Sequence, residues 1–197
     1  MNYLAHAYLS FNLPDVLVGN MISDFVKGRN LHERFEPEVA KGIHLHRAID
    51  EFTDSHPVVS QSKSRLRARY RHYAPVIVDI FYDHYLARNW NSHHALPLAD
   101  FARQTYQTLE DRREQLPETV KQLLPYMTKG NWLVGYAQIE GIQRALTGMT
   151  RRTRFDSHMD EAVHELREFY DEFGTEFEVF FPDLKEYART FLEGLED

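Results

Sequence analysis

The sequence predicts an all-α protein, with a single compact helical domain of about nine helices over residues 1–197. Prolines and glycines divide the chain into segments of helical length, and no segment alternates polar and apolar residues over the length of a strand. The chain has 197 residues, 43% of them hydrophobic, which is enough for one sizeable core and little for two. No low-complexity linker or internal repeat interrupts it.

Each predicted helix begins at a residue that suits a helix start. Proline fits the first turn because the backbone N–H that it lacks would be unpaired there, and aspartate caps the turn with its side chain. We expect helices to begin near Asp15, Pro37, Pro57, Pro75, Pro97, Pro117, Asn131, Asp156 and Pro182. Gly28 and Gly148 are expected where helices end, because glycine suits the C-terminal cap.

The charges are unevenly distributed along the chain. Residues 156–197 contain fourteen acidic and three basic residues and so carry −11, whereas the rest of the chain carries +4 of the net −7. Two stretches, residues 55–78 and 141–155, contain no acidic residue. Their cations are Lys63, Arg65, Arg67, Arg69 and Arg71 in the first stretch and Arg144, Arg151, Arg152 and Arg154 in the second. Such strips predict a localised anionic partner rather than nucleic acid, although the first also fits a solvated helix face.

The composition also excludes several kinds of protein and site. The apolar runs fall far short of the roughly 18 residues of a membrane span, and residues 1–9 lack the basic lead of a signal peptide, which predicts a cytoplasmic protein without a membrane segment. Since the chain has no cysteine, any metal must be held by imidazole and carboxylate groups. No phosphate loop, nucleophile elbow or dinucleotide-binding glycine pattern is present.

Two helical stretches carry aspartates at i, i+4 spacing beside histidines. Residues four apart lie on one face of a helix, so each stretch presents a row of potential ligands. The rows are His46, Asp50 and Asp54 in the first stretch and Asp79, Asp83 and the adjacent His84 in the second. Converging on one cation, they would suit Mn²⁺, Fe²⁺, Zn²⁺ or Mg²⁺. A solvated face or a local ion network is the alternative interpretation of the same spacing.

Two further polar residues interrupt apolar segments. Asp24 follows an apolar run that includes Ile22, and His6 lies between Leu4 and Leu9. A carboxylate is costly to bury unless a metal or a base is its partner, which favours Asp24 as a ligand. His6 alone fits an ordinary hydrogen bond to the backbone equally well. Together with the two rows, they predict a site assembled from several helices.

Five sequence blocks that include these residues follow one another in an order that is typical of a known family. They are Asn2-Tyr3-Leu4-Ala5-His6, residues 19–28 from Gly19-Asn20 to Lys27-Gly28, residues 42–54 from Gly42 to Asp54, residues 79–86 from Asp79 to Leu86, and Trp132-Leu133-Val134 with Gly148-Met149 and Arg152. In this arrangement the chain resembles the acyl carrier protein phosphodiesterases. The resemblance extends over most of the sequence and thins after about Phe155.

The resemblance implies a definite activity. That family removes the 4′-phosphopantetheine arm from holo-acyl carrier protein, a step of lipid metabolism and fatty acid biosynthesis, with a divalent cation that is typically Mn²⁺. It is regarded as a divergent relative of the helical HD-domain phosphohydrolases, although here the adjacent pair reads Asp83-His84, in the reverse order. We therefore expect an HD-domain-like hydrolase that uses holo-acyl carrier protein as its protein substrate.

The residues and the resemblance together predict roles for individual side chains. Predicted metal ligands are Asp24, His46, Asp50, Asp79 and Asp83. Predicted catalytic residues are His6, His84 and Asp54, with His84 or His6 protonating the departing serine oxygen. Predicted substrate-binding residues are Lys27 and Arg47, which lie beside the ligands and suit the phosphate or the arm, and Arg144, Arg151 and Arg152, which with residues 63–71 suit an acidic carrier.

Two other functions remain compatible with the sequence. A nucleotide or cyclic-nucleotide phosphohydrolase of HD type would use the same cluster of aspartates and histidines without a protein partner. A non-catalytic helical module that binds an acidic protein would keep the basic strips but would not need that cluster.

Overall fold

Proline-led segments do fold as helices in the computed structural model, which describes residues 1–28 and 30–195. The α-helices are α1 (Tyr3–Tyr8), α2 (Pro14–Ile22), α3 (Pro37–Ser55), α4 (Pro57–Tyr70), α5 (Ala74–Arg88), α6 (Trp90–His93), α7 (Leu98–Asp111), α8 (Glu118–Lys129), α9 (Trp132–Gly135), α10 (Ile139–Thr150), α11 (Val163–Glu168) and α12 (Tyr170–Glu193). Short 3₁₀ helices occupy Ser23–Phe25, Arg71–Tyr73, Arg113–Gln115 and Met159–Glu161. The described residues contain no strand, which confirms the all-α prediction.

Most predicted helix starts agree with the structure, and two are wrong. Helices begin within two residues of the other seven predicted positions, whereas residues 153–158 form no helix and α11 begins only at Val163. Pro182 lies inside α12, where the apolar face formed by the buried residues Phe180 and Phe181 continues past the proline with Leu184 and Ala188. Their burial offsets the backbone hydrogen bond that the proline removes.

The remaining differences concern short helices, helices that no proline introduces, and the two glycines expected at helix ends. The described residues contain twelve α-helices instead of the expected nine, because α1, α6 and α10, which no proline introduces, were not predicted. Gly148 lies within α10 instead of at a helix end. Gly28 follows the Ser23–Phe25 3₁₀ helix and has a positive φ of 94°, a conformation that glycine adopts without strain. Glu196 and Asp197, which belong to the acidic segment, lie outside the described residues.

Helix α5 lies at the centre of one contiguous core. Every residue from Ile80 to Ala87 is buried, and the helix contacts α1, α4, α10 and α12. A helix that is apolar around its whole circumference belongs in a core, and this position also buries Asp83 and His84. The single compact helical domain is thus confirmed. Its extension to residue 197 and its relation to HD domains stay predictions.

Two glycines bring α2 and α3 into close contact. A Cβ atom at Gly19 would lie 2.0 Å from the carbonyl oxygen of Val39, and one at Gly42 would lie 2.1 Å from that of Val16. Neither separation is compatible with a side chain, so the two backbones approach as closely as they do only because both residues are glycine. This contact places the polar residues of α2 directly against those of α3.

Much of the first basic strip is neutralised within the fold. Arg65 pairs with Glu176 of α12, Arg69 with Glu161 and Glu165, and Lys63 with Asp54. The acidic C-terminal segment therefore packs against α4 as its counter-charge. Of the five cations in residues 63–71, Arg67 and Arg71 have no ion-pair partner among the residues that the structure describes.

None of the helices described combines the length and the apolarity that a membrane crossing requires. The predicted cytoplasmic location stays a prediction.

Candidate metal centre

Three side chains from α1 and α3 converge at one point. Potential ligand atoms of His6, His46 and Asp50 all lie within 4.8 Å of one another. The two imidazole rings stack with their centroids 3.9 Å apart. One carboxylate oxygen of Asp50 lies 3.3 Å from Nε2 of His6, and the other lies 3.1 Å from Nε2 of His46. His46 and Asp50 meet because they are one turn apart on α3, as their spacing predicts.

A single buried residue of α2, Asn20, orients both rings. Nδ1 of His46 donates to the backbone carbonyl of Asn20 over 2.7 Å, and Nδ1 of His6 donates to the Asn20 side-chain oxygen over 2.8 Å. The Asn20 amide group donates to the carbonyl of His6 and to Ser10, which fixes the direction of its oxygen. A histidine that binds metal through one nitrogen is commonly held in this way through the other.

The Nε2 atoms therefore face acceptors. Because Nδ1 carries the hydrogen in both rings, Nε2 of His6 turns its lone pair toward the carbonyl oxygen of Met1 at 3.1 Å and toward Asp50. Nε2 of His46 faces Asp24 at 3.2 Å as well as Asp50. Facing acceptors repel one another unless a proton or a cation lies between them, so this arrangement suits a cation.

The two histidines are expected to differ in charge. Burial and the nearby charge of His46 lower the pKa of His6 to about 4, so this ring is neutral near pH 7. Burial also disfavours a charged His46, but its hydrogen bonds to Asp24 and Asp50 outweigh this effect and raise its pKa to about 9. Without a metal, a proton on His46 thus takes the place of a cation between the ring and the two carboxylates.

The carboxylates respond accordingly. The hydrogen bond from His46 lowers the pKa of Asp24 in spite of partial burial. Burial raises the pKa of Asp50, but the hydrogen bond from His46 and the charge of the N-terminal amino group hold it well below its usual range. Asp24 and Asp50 are therefore ionised in the folded protein near neutral pH. The ionised carboxylate is the form that binds metal.

The two aspartates of α5 lie beside this centre. Asp79 is 3.1 Å from the α-amino group of Met1, which also lies 3.5 Å from Asp50. Asp83 is fully buried and accepts the backbone N–H groups of Leu4 and Ala5 at 2.7 and 3.1 Å. Asp83 thus caps α1 and positions His6, while burial raises its pKa to about 7. That either residue also binds metal stays a prediction.

Two predicted catalytic residues lie apart from the centre. Both ring nitrogens of His84 are engaged elsewhere, Nδ1 by the carbonyl of Tyr136 and Nε2 by the hydroxyl of Tyr170, each at 2.8 Å. The exposed Asp54 pairs with Lys63. The structure therefore brings neither side chain to the converging ligands, and their catalytic roles stay predictions that this geometry does not favour.

The predicted substrate-binding residues fall into two groups. Arg47 donates to the carbonyls of Val26 and Gly28 and so supports the loop after Asp24, and Lys27 is exposed in the same loop. Arg144 and Arg152 line a cleft beside α1, and Arg151, next to Arg152 in the chain, is exposed. Binding by all five stays a prediction.

Asn20 is a site residue that the sequence analysis did not identify. It is a polar residue within the apolar run of α2, as Asp24 is at the end of that run, and it is completely buried. The argument that a buried polar group needs a partner applies to it equally, so that signal was present.

The residues present fit a divalent cation. Two imidazoles, which bind metal in their neutral form, and two ionised carboxylates form a mixed set of nitrogen and oxygen donors. Mn²⁺, Fe²⁺ and Zn²⁺ accept donor sets of this type. The chemistry of the donors does not distinguish among these metals.

Comparisons with known proteins agree with the resemblance noted in the sequence. The family model described as acyl carrier protein phosphodiesterase matches residues 1–184. Acyl carrier protein phosphodiesterase from Escherichia coli O6:H1 is 36% identical over 190 residues, which cover 95% of this chain and 97% of that protein. The protein of the same name from Photorhabdus laumondii is 33% identical over 95% of each chain. No solved structure matches significantly. The chain therefore belongs to the acyl carrier protein phosphodiesterase family.

Proposed function

We propose that this enzyme hydrolyses the phosphodiester bond between 4′-phosphopantetheine and the serine of holo-acyl carrier protein, which returns the apo carrier. The observation that supports this most is the convergence of His6, His46 and Asp50, whose potential ligand atoms lie within 4.8 Å of one another, in a chain whose relatives carry that activity in their name. A cluster of this kind has no evident structural purpose, since simple apolar packing would hold α1 and α3 together without its desolvation cost.

We infer that a divalent cation, with Mn²⁺ the first choice, is held by the Nε2 atoms of His6 and His46 and by the carboxylates of Asp50 and Asp24. When bound, such a cation polarises the phosphoryl group and activates water. The chain's own contribution is orientation: Asn20 fixes both rings, and Asp83 fixes the helix that carries His6. His6 is better suited to binding metal than to proton donation, because its pKa of about 4 leaves it neutral.

We place the carrier protein on the second basic strip. Arg151, Arg152 and Arg154 are exposed in residues 141–155, and among the residues described none of them pairs with a carboxylate. Carrier proteins are small acidic helical bundles, so complementary charge would steer them to this surface. The first strip is less suited to the task, because Arg65 and Arg69 already pair with α12 and the segment before it.

The test is to incubate the purified chain with holo-acyl carrier protein, with and without Mn²⁺, and to follow the mass of the carrier. We expect the carrier to lose its phosphopantetheine group only when the metal is present. Hydrolysis of free nucleotides or cyclic nucleotides, with an unchanged carrier, would favour a nucleotide phosphohydrolase. Tight carrier binding without turnover of any substrate, retained in Asp50→Asn, would favour a non-catalytic module.

A further inference from the structure

A cleft of about 160 Å³ lies beside α1, between α9 and α10. We call it the α9–α10 cleft. Its walls are mainly apolar and aromatic, with Tyr3, Trp132 and Met149 among the lining residues, and the charged residues that line it are two arginines, Arg144 and Arg152. Apolar walls with a few placed polar groups are typical of a small-molecule site. Four glycines complete the lining: Gly130, Gly135, Gly141 and Gly148.

The cleft adjoins the candidate metal centre through Tyr3. This residue lies one turn before His6 on α1, so the same short helix borders both features. Burial raises the pKa of Tyr3, the charge of Asp24 raises it further, and Arg152 opposes the shift. Tyr3 is therefore within electrostatic range of Asp24 on one side and of Arg152 on the other. The candidate metal centre and the cleft therefore have Tyr3 as a common neighbour.

Packing accounts for some of the glycines but not for Gly148. A Cβ atom at Gly141 would lie 1.9 Å from the carbonyl oxygen of Gly135, so the contact between α9 and α10 requires glycine there. A Cβ atom at Gly148 would have no atom within 4 Å. Glycine inside a helix is less stable than alanine, and nothing in the packing offsets that loss at Gly148. Its effect is to keep the cleft open.

We propose that the α9–α10 cleft binds the pantetheine arm of the substrate, with Arg152 and Arg144 beside its phosphate end. The inference rests on the proposed function and adds a binding site to it. The arm is a flexible, uncharged chain with a dimethyl group and two amides, which suits apolar walls, and its one anionic group is the phosphate, which suits arginine. The open backbone at Gly148 leaves room for the chain to lie along α10.

The experiment uses two substitutions at Gly148 and one control. Gly148→Leu fills the cleft and Gly148→Ala fills it in part, whereas Gly194→Leu makes the same change at an exposed position after α12, where φ is −70° and suits any residue. We expect Gly148→Leu to lower kcat/KM for holo-acyl carrier protein by at least about tenfold, Gly148→Ala to lower it less, and Gly194→Leu to leave it unchanged. Thermal unfolding should show Gly148→Ala at least as stable as the original chain, because its Cβ atom meets no neighbouring atom.

Titration calorimetry with free 4′-phosphopantetheine separates the cleft from the proposed function. We expect the original chain to bind this ligand and Gly148→Leu to lose that binding. If the original chain binds it but does not hydrolyse holo-acyl carrier protein, the cleft assignment is supported and the proposed function is wrong. If Gly148→Leu hydrolyses the carrier as well as the original chain does, the cleft assignment is wrong and the function stands. Should Gly148→Leu fail to fold, full activity and full ligand affinity in Gly148→Ala would overturn the assignment.

Discussion

Two carboxylates in this protein, Glu176 and Asp50, have partners of opposite kinds. Glu176 of α12 is 7% exposed and receives two hydrogen bonds from Arg65, at 2.5 and 2.8 Å, and one from Ser62. Asp50 is 41% exposed and faces the rings of His6 and His46. Arginine keeps its proton at any pH that the fold survives, whereas imidazole exchanges its proton readily.

The difference in partners separates a structural ion pair at Glu176 from a site at Asp50 where a proton can be exchanged for a metal. At Glu176 the protein itself supplies a permanent cation, so nothing further is needed for charge balance. At Asp50 the α-amino group of Met1 lies at 3.5 Å, and the two imidazoles contribute only the proton on His46 near pH 7. A metal can replace that proton. Both sites arise from charged residues on helix faces, and what distinguishes them is the kind of partner.

The largest expected effect is that of Asp50→Asn. Removal of the carboxylate that joins both histidines should lower kcat/KM for holo-acyl carrier protein at least about 1,000-fold, because a catalytic metal contributes several kcal/mol to transition-state stabilisation. Steady-state kinetics with Mn²⁺ would measure this loss. Glu51→Gln, an exposed substitution on the same helix, is the matched control and should have little effect. Comparable loss in both variants would contradict the assignment of Asp50.

Glu176→Gln should have the opposite profile. It leaves Arg65 partly buried without its counter-charge, so we expect the free energy of unfolding to fall by about 3 kcal/mol, while affinity for Mn²⁺ is unchanged. Urea denaturation and calorimetry measure the two quantities. The double variant Arg65→Met/Glu176→Leu should recover most of the lost stability, because apolar packing replaces the pair. A loss of metal affinity in Glu176→Gln would remove the contrast between the two sites.

Asn20→Ala should weaken the metal site without removing a ligand. Loss of a residue that orients metal-binding histidines typically lowers affinity by about 10- to 100-fold. Calorimetric titration of the variant with Mn²⁺ measures the effect. Ser10→Ala also removes hydrogen bonds from this network but leaves both ring contacts of Asn20 in place, so its affinity should be close to that of the original chain. Equal losses in the two variants would mean that ring orientation is not the cause.

The smallest expected effect is on pH dependence. Because the pKa of His46 is raised from 6.5 to about 9, its stabilising ion pairs are fully present below pH 6.5 and are lost as the pH rises through about 9 in the metal-free protein. Metal must displace this proton, so affinity for Mn²⁺ should rise by about tenfold per pH unit between pH 7 and 8. Titrations at these two pH values test it. An affinity that is independent of pH would show that His46 is not a ligand.

The sequence predicted the fold well where local signals and packing agree. Prolines mark the starts of α3 and α4 correctly, because nothing in the tertiary structure opposes the local preference there. The same signal failed at Pro182, where one buried apolar face includes residues before and after the proline and so extends the helix through it. The sequence pattern alone does not show that the free energy gained by this burial exceeds the free energy lost with one backbone hydrogen bond.

The candidate site was predictable in part for a similar reason. Residues four apart share a helix face, which is why His46 and Asp50 meet, and why Asp79 and Asp83 both face α1. Adjacent residues do not share a face, so His84 turns away from Asp83 toward Tyr136 and Tyr170. The close contact between α2 and α3, which Gly19 and Gly42 allow, is a tertiary feature that the spacing of residues along one helix does not predict. That contact places Asn20 of α2 beside the histidines and so makes it a site residue.

The most direct test of the metal centre is anomalous diffraction from crystals grown with Mn²⁺. The account predicts a manganese peak within bonding distance of the Nε2 atoms of His6 and His46 and of a carboxylate oxygen of Asp50, and no such peak in Asp50→Asn. A peak at His84, or an unchanged peak in Asp50→Asn, would contradict it.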